Sequence, residues 1–358
     1  MGEIEADHWQ EKYILIEITE DGKTRDIGSL KKLPIPICII RNVSECKIMT
    51  YTDTSLIQEE LLAQIDEKIK RLNSMRPIPA DALRKLQEEM RLVHTYQSNA
   101  IEGNTLTLQE TKLVLEEGLT IGGKSLREHL EAINNAKAFD RMEELAKKKC
   151  AIDHITIQEI HEIVSRGILE DAGRYRTRNV RIAGAVKAPP DWSKMVKLMD
   201  ELIGKIAESK GHPVETASFL HHRFVEIHPF SDGNGRVARL LMNLYLIARD
   251  YPPIVLKKED RGKYYKFLKA ADAGNIGPFA NFIAKALNEN LTIYLSITGG
   301  NEELLPLKEL APITPYSQEY LSLRARQGLL DAVKMGKTWY SSKRAVEQYL
   351  SEHGNKGV

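Results

Sequence analysis

From Leu56 onward, apolar residues recur at three- and four-residue steps (Leu56, Leu61, Leu62, Ile65, Ile69), and a second such stretch runs from Ala80 to Ala100. That period puts apolar side chains on one stripe of a helix, so the chain must bury its core between helices. Helix dominates to residue 297, which predicts a mainly α fold. With 358 residues the chain has room for about two domains. Its 51 Lys and Arg balance 50 Asp and Glu, so no global field draws it to nucleic acid or a membrane. No uncharged run approaches the length of a membrane helix. The three cysteines, Cys38, Cys46 and Cys150, suit neither a disulfide framework nor a Cys-based zinc site. A reducing, cytoplasmic setting and no membrane partner are expected.

Smaller signals divide the chain. Residues 13–18 and 36–40 are β-rich, and Asp21-Gly22 and Gly28 lie between them, which predicts a small β-containing unit over 1–55. N-terminal helices follow over 56–104 and the main helical domain over 105–298. Thr107-Leu-Gln-Glu110 and Thr156-Ile-Gln-Glu159 read as capping boxes that start two helices. Residues 176–190 alternate Val180 and Ile182 with charged residues and break at Gly184, which predicts a β-hairpin. Gly299-Gly300 and three prolines predict a linker over 299–316. The segment 317–358 is a separate unit, with six Lys or Arg against three acids up to residue 350.

The chemistry concentrates in His228-Pro-Phe-Ser-Asp-Gly-Asn-Gly-Arg-Val-Ala-Arg239. Gly233-Asn234-Gly235 can turn successive amides into one concavity, and the helix that follows adds the partial positive charge of its N-terminus, which suits a diphosphate. Arg236 and Arg239, three residues apart, offer forked and permanently charged donors to neighbouring phosphates. Asp232 is a hard oxygen ligand of the kind that holds a Mg²⁺ bridging phosphates. His228 stands where a neutral imidazole could take a proton from a hydroxyl attacking phosphorus.

This segment resembles the signature of the Fic family, His-Pro-Phe-x-(Asp/Glu)-Gly-Asn-Gly-Arg-x-x-Arg, and matches it at every defined position. The resemblance implies transfer of AMP from ATP to a Ser, Thr or Tyr hydroxyl of a target protein, with release of pyrophosphate and self-modification as a side activity. It makes His228 the base, Asp232 the Mg²⁺ ligand, Gly233 and Asn234 the anion-hole donors, and Arg236 and Arg239 the partners of the β- and γ-phosphates. Ser98-Asn-Ala-Ile-Glu102-Gly resembles the family's inhibitory motif. Ser98 and Glu102 share a helical face, and Glu102 would compete with the γ-phosphate for Arg239. By the same resemblance, the hairpin is the flap that binds an extended target segment by β-augmentation, with Val180, Arg181, Ile182 and Ala183 as its edge. Tyr264 and Tyr265 resemble the family's adenine-contacting pair, and Asp272 departs from the Asn that some relatives carry. Segment 317–350 resembles a small winged helix-turn-helix, a module that binds DNA or packs on a neighbour. A homodimer is conceivable, and DNA is the less favoured partner.

Three alternatives stay open from the sequence. The same site removes AMP in some relatives, the donor differs from ATP in others, and the chain could be a DNA-binding regulator that senses nucleotide. Gly118-Leu-Thr-Ile-Gly-Gly-Lys-Ser125 satisfies the P-loop pattern but follows a helix instead of a buried strand, so it reads as a helix-to-helix connection with Ser125 near the next N-cap. His221-His222 lacks a partner motif of zinc spacing and reads as a pair of helix-face histidines.

Overall fold

The computed structural model describes residues 55–75, 79–181, 187–297 and 300–353, and the backbone of 14–18, 24–28 and 37–40. The chain divides into two compact units, Met1–Ser55 and Leu56–Val358. In the first, β1 (Ile14–Ile18) pairs antiparallel with β2 (Thr24–Gly28) and parallel with β3 (Ile37–Ile40), giving the order β2-β1-β3. The apolar runs marked β1 and β3. Thr24-Arg-Asp-Ile-Gly carries no such run, and nothing in the sequence pattern marks β2, which forms an edge of the sheet.

The second unit is helical: α1 (Glu59–Ser74), α2 (Ala80–Ile101), α3 (Leu108–Glu116), α4 (Leu126–Lys147), α5 (His154–Ser165), α6 (Trp192–Glu208), α7 (Pro213–Ile227), α8 (Asn234–Ile247), α9 (Arg261–Asp272) and α10 (Gly277–Ser296). In α1, Leu61, Ile65 and Leu72 are buried on one stripe. α8 differs, because its residues are buried on every side, which marks it as the central helix. α7, α4 and α5 pack around it. The signature therefore opens the most buried helix of the unit. No helix among the described residues is long and apolar enough to cross a membrane.

Local capping agrees with the sequence at Thr107, where the reciprocal Thr107–Glu110 box forms, and a second box joins Ser125 and Glu128. It differs at Thr156. α5 starts at His154 and is capped by Asp153, whose carboxylate accepts the Thr156 N–H at 2.8 Å. A carboxylate three residues ahead outcompetes the hydroxyl, and Glu159 pairs with Arg141 at 2.7 Å instead of returning to a cap.

The expected linker is also partly structured. β4 (Leu305–Pro306) joins an antiparallel sheet of order β4-β6-β5, with β5 at Val333–Met335 and β6 at Thr338–Ser341. A short helix α11 (Leu307–Leu310) packs its Leu307 and Leu310 with α12 (Gln318–Gln327) and α13 (Lys343–His353). The C-terminal module thus begins near residue 305, because the prolines that stop a long helix do not prevent a strand edge and a single turn. Nor is it free of the core. Lys68 of α1, buried, donates to Asp331 and to Thr292 Oγ1 at 2.7 Å, while Arg344 pairs with Glu67 at 3.3 Å.

Candidate active site

The signature loop is shaped by local rules. α7 ends when His228 adopts the left-handed conformation (φ 53°, ψ 61°), its N–H bonding back to the Phe224 carbonyl at 3.0 Å. A non-glycine residue held there is a strained feature that surrounding contacts must impose. Those contacts are present. Phe230 is fully buried, and Asn234 clasps its backbone, accepting the Phe230 N–H at 2.9 Å and donating to its carbonyl at 3.0 Å. Gly233, at φ 78°, turns the chain into α8. The amides of Asn234, Gly235 and Arg236 then open the helix, where no preceding turn supplies carbonyls for them. The Gly233 amide is engaged by Asp232 Oδ1 at 2.6 Å.

His228 Nδ1 lies 3.3 Å from the Val225 carbonyl, an acceptor, so Nδ1 carries the proton and Nε2 keeps its lone pair. Burial pushes the imidazole below its ordinary pKa; the Val225 carbonyl opposes this, and the nearby Arg176 charge adds to it. A neutral base results.

Asp232 is about half exposed. Burial would raise its pKa, but the Gly233 amide and the Arg236 and Arg127 guanidiniums outweigh this and hold it below the usual value. Its Oδ2 accepts from Arg127 Nη2 at 2.6 Å. Among the described residues no group of three or more His, Cys, Asp or Glu could hold a metal. A lone ionised carboxylate beside an anion site fits a Mg²⁺ that takes its other ligands from water and phosphate, and fits no dedicated protein cage.

Both signature arginines are buried and meet carboxylates from other helices. Arg239 donates from Nε to Ser98 Oγ and from Nη2 to the Ser98 carbonyl, each at 2.9 Å, and from Nη2 to Glu102 Oε1 at 2.7 Å. Burial works against the Arg239 charge, and Glu102 together with Tyr264 and Tyr265 more than offsets it. Glu102 leaves α2 just before Gly103 (φ 103°) and lies so close to Gly235 that a Cβ there would overlap Oε1. Arg236 Nη1 stands 3.5 Å from Glu131 Oε1, an ion-pair distance, and neither it nor the buried Nε has a hydrogen-bond partner. Two guanidiniums therefore converge on the helix start with donors to spare.

The remaining expected residues fall in different places. Tyr264 is buried against His221, with 3.3 Å between its hydroxyl and His221 Nε2. Tyr265 is 40% exposed and lies under the Arg261 guanidinium, which also donates to the Ile101 carbonyl beside Glu102. Of the pair, only Tyr265 offers a face to a ligand. Both histidines are buried, and His222 Nε2 is hydrogen-bonded to Asp272 Oδ1 at 2.9 Å. Val180 and Arg181 lie in irregular chain, while Ile182 and Ala183 fall outside the described residues. Arg176 anchors this segment, donating to the carbonyls of His228 at 2.8 Å and Pro190 at 2.6 Å. In the P-loop lookalike, Lys124 donates to the Thr105 carbonyl at 2.7 Å, between two helices.

Sequence reasoning missed Arg127, Glu131, Arg176 and His161. His161 lies 71 residues from the loop carbonyl it meets, and nothing local marks any of the four.

The profile of the Fic/DOC family matches residues 151–246, from the approach to α5 nearly to the end of α8. A Nematostella vectensis protein named Protein adenylyltransferase Fic is 38% identical over 250 residues, 68% of this chain and 57% of that protein. A Drosophila virilis protein of the same name is 34% identical over 276 residues, 76% and 57% respectively. The chain thus spans a little over half the length of these curated relatives. Among solved structures, a fragment of Fic-1 from C. elegans superimposes with a TM-score of 0.61 at 31% identity, covering 67% of this chain and 72% of that one. Likeness of this extent reaches well beyond the signature into the surrounding helices, and the chain belongs to the Fic family.

Proposed function

We propose that this chain is a Mg²⁺-dependent protein adenylyltransferase, restrained by Glu102. One observation carries it: a neutral imidazole with a free Nε2 stands at the mouth of an anion site whose arginine is held by a carboxylate. ATP would place its phosphates on the amides of residues 234–236, with Arg236 and Arg239 neutralising the outer phosphates. A Mg²⁺ held by Asp232 would neutralise charge on the departing pyrophosphate. His228 Nε2 takes the proton of the target hydroxyl as its oxygen bonds to the α-phosphorus, and the bond to the β-phosphate bridging oxygen breaks. Such a base is worth roughly 10²–10⁴-fold, with positioning and charge neutralisation supplying most of the rest. Glu102 opposes this by occupying Arg239, so the outer phosphate is held poorly and the α-phosphorus is misaligned.

The target hydroxyl would come from a protein segment seated along residues 180–183. DNA remains the less favoured partner, since Arg344 is paired with the core and Arg324 lies over the Tyr320 ring. A cytoplasmic setting accords with the free thiol of Cys150.

Label transfer from α-phosphate-labelled ATP with Mg²⁺ tests the proposal, comparing the parent, Glu102→Gly and Glu102→Gly/His228→Ala, each alone and with cell lysate. Strong labelling in the single variant, lost in the double, is expected. No labelling in any of them, with ATP still bound, would overturn AMP transfer and direct attention to AMP removal or another donor.

A further inference from the structure

We infer that His161 is a positioning residue for the phosphate loop, coupling it to the segment that leads into the flap; this rests on the adenylyl-transfer proposal above. His161 is fully buried on α5 and uses both ring nitrogens on backbone of other segments. Nδ1 accepts the Gly173 N–H at 2.9 Å, so the proton sits on Nε2, which lies between the Asp232 carbonyl at 3.1 Å and the Ser165 hydroxyl of its own helix at 3.0 Å. Its ring stacks on Phe230, with centroids 3.6 Å apart and planes 6° from parallel. One side chain therefore touches the two residues that flank Ser231 and the turn before Arg176.

A histidine satisfied within a core would bond only to its own helix or to a neighbouring core side chain. His161 makes one such contact, to Ser165 Oγ of α5 at 3.0 Å, and beyond it spans two loops. The peptide that carries the Asp232 carbonyl also carries the Gly233 N–H, and Gly233 sits against the ring, where an added Cβ would lie 3.5 Å from Nε2. Holding that carbonyl sets the direction in which the chain enters α8, and hence the aim of the amides at 234–236. The same two segments are joined elsewhere. Ser231 Oγ donates to Asp171 Oδ1 at 3.0 Å, and the Arg176 N–H donates to the Pro229 carbonyl at 2.9 Å. The phosphate side and the target side of the site thus form one body with His161 as its central post, and a displacement of about 1 Å in such an arrangement can cost on the order of 100-fold in rate.

The test uses the full chain in the Glu102→Gly background. His161→Phe keeps a ring on Phe230 and loses the polar contacts; His161→Gln keeps an N–H near the position of Nε2. Turnover, KM for ATP and ADP affinity by calorimetry are measured for each, with thermal unfolding alongside. The expectation for His161→Phe is a fall in kcat of roughly 10–100-fold, a smaller change in KM and weaker ADP binding by several-fold; His161→Gln should recover most of both losses. Unchanged kcat and ADP affinity in His161→Phe would overturn the inference. So would equal losses in both variants, since the donor to Asp232 would then be irrelevant. If Glu102→Gly itself transfers no AMP, the proposed activity fails on its own, and ADP affinity still decides the role of His161.

Discussion

Replacing Gly235 with alanine puts a methyl group where Glu102 Oε1 now lies and 3.2 Å from Arg239 Nη1. Glu102 is the end of a flexible chain, one-third exposed, so it swings away and the Arg239–Glu102 bond is lost. A hydrogen bond to a charged group is worth about 1.5–3 kcal/mol, and the lower end applies at this exposure. Against that, alanine is favoured over glycine in a helix by about 0.5–1 kcal/mol, the smaller figure applying where Arg239 must give slightly. The net effect is a loss of about 1 kcal/mol. In the Glu102→Gly background the bond is already absent, so the same substitution should stabilise by about 0.5 kcal/mol. Equilibrium urea unfolding of the four proteins measures this, a change of about 1 kcal/mol moving the midpoint by roughly 0.3 M at a slope near 3 kcal/mol/M. The sign must reverse with the residue at position 102. A shift of the same sign and size in both backgrounds would refute the contact between Glu102 and Gly235. Activity gives a companion result: Glu102→Gly should release AMP transfer, whereas Gly235→Ala should not, because its methyl keeps the phosphate out of the place that the carboxylate leaves.

Three further outcomes are expected. In Glu102→Gly protein, the acid limb of the kcat/KM profile should fall below pH 6.5, because a lowered His228 pKa keeps the base neutral as pH drops and activity is lost only as pH falls through that pKa; a limb at or above 6.5 would contradict the burial argument. Arg127→Gln should free Asp232 and tighten Mn²⁺ binding to the ADP-bound protein by roughly two- to five-fold, the worth of an exposed ion pair, and equilibrium titration should reveal it; unchanged affinity would show that Arg127 does not compete. Asp331→Ala should strand the buried Lys68, whose charge burial already disfavours, and cost about 2–3 kcal/mol given the remaining Thr292 and Asn288 contacts. Adding Lys68→Met should return most of it in thermal unfolding, and failure to do so would mean that the pair does not fasten the module.

How much was legible follows from how far apart the interacting residues lie. The anion loop is a local object. Its glycine turn, its clasp and its helix N-terminus occupy consecutive residues, so the local sequence was enough to single out His228, Asp232, Arg236 and Arg239 as candidates. The cap at Thr107 was legible for the same reason. Thr156 misled because two cap-capable side chains stand three residues apart, and a pattern cannot weigh a carboxylate against a hydroxyl. Glu102 and Arg239, 137 residues apart, were expected together only through a family resemblance. Tyr264 and Tyr265 looked equivalent as neighbours, yet adjacent helical positions point about 100° apart, and one enters the core while the other faces out.

The amino-acid order by itself determined that helices would form from residue 56 onward, where several would start, and that one twelve-residue stretch could cradle phosphates beside a base. Those properties depend on the backbone and on side chains within a turn or two. Tertiary packing alone decided which carboxylates meet the buried arginines, that Arg127 covers Asp232, that His161 ties the loop to the turn at Gly173, and that the C-terminal module is pinned through Lys68. Each of these contacts joins groups tens to hundreds of residues apart, and only the docking of one helix on another brings a charge to its partner and removes water from between them.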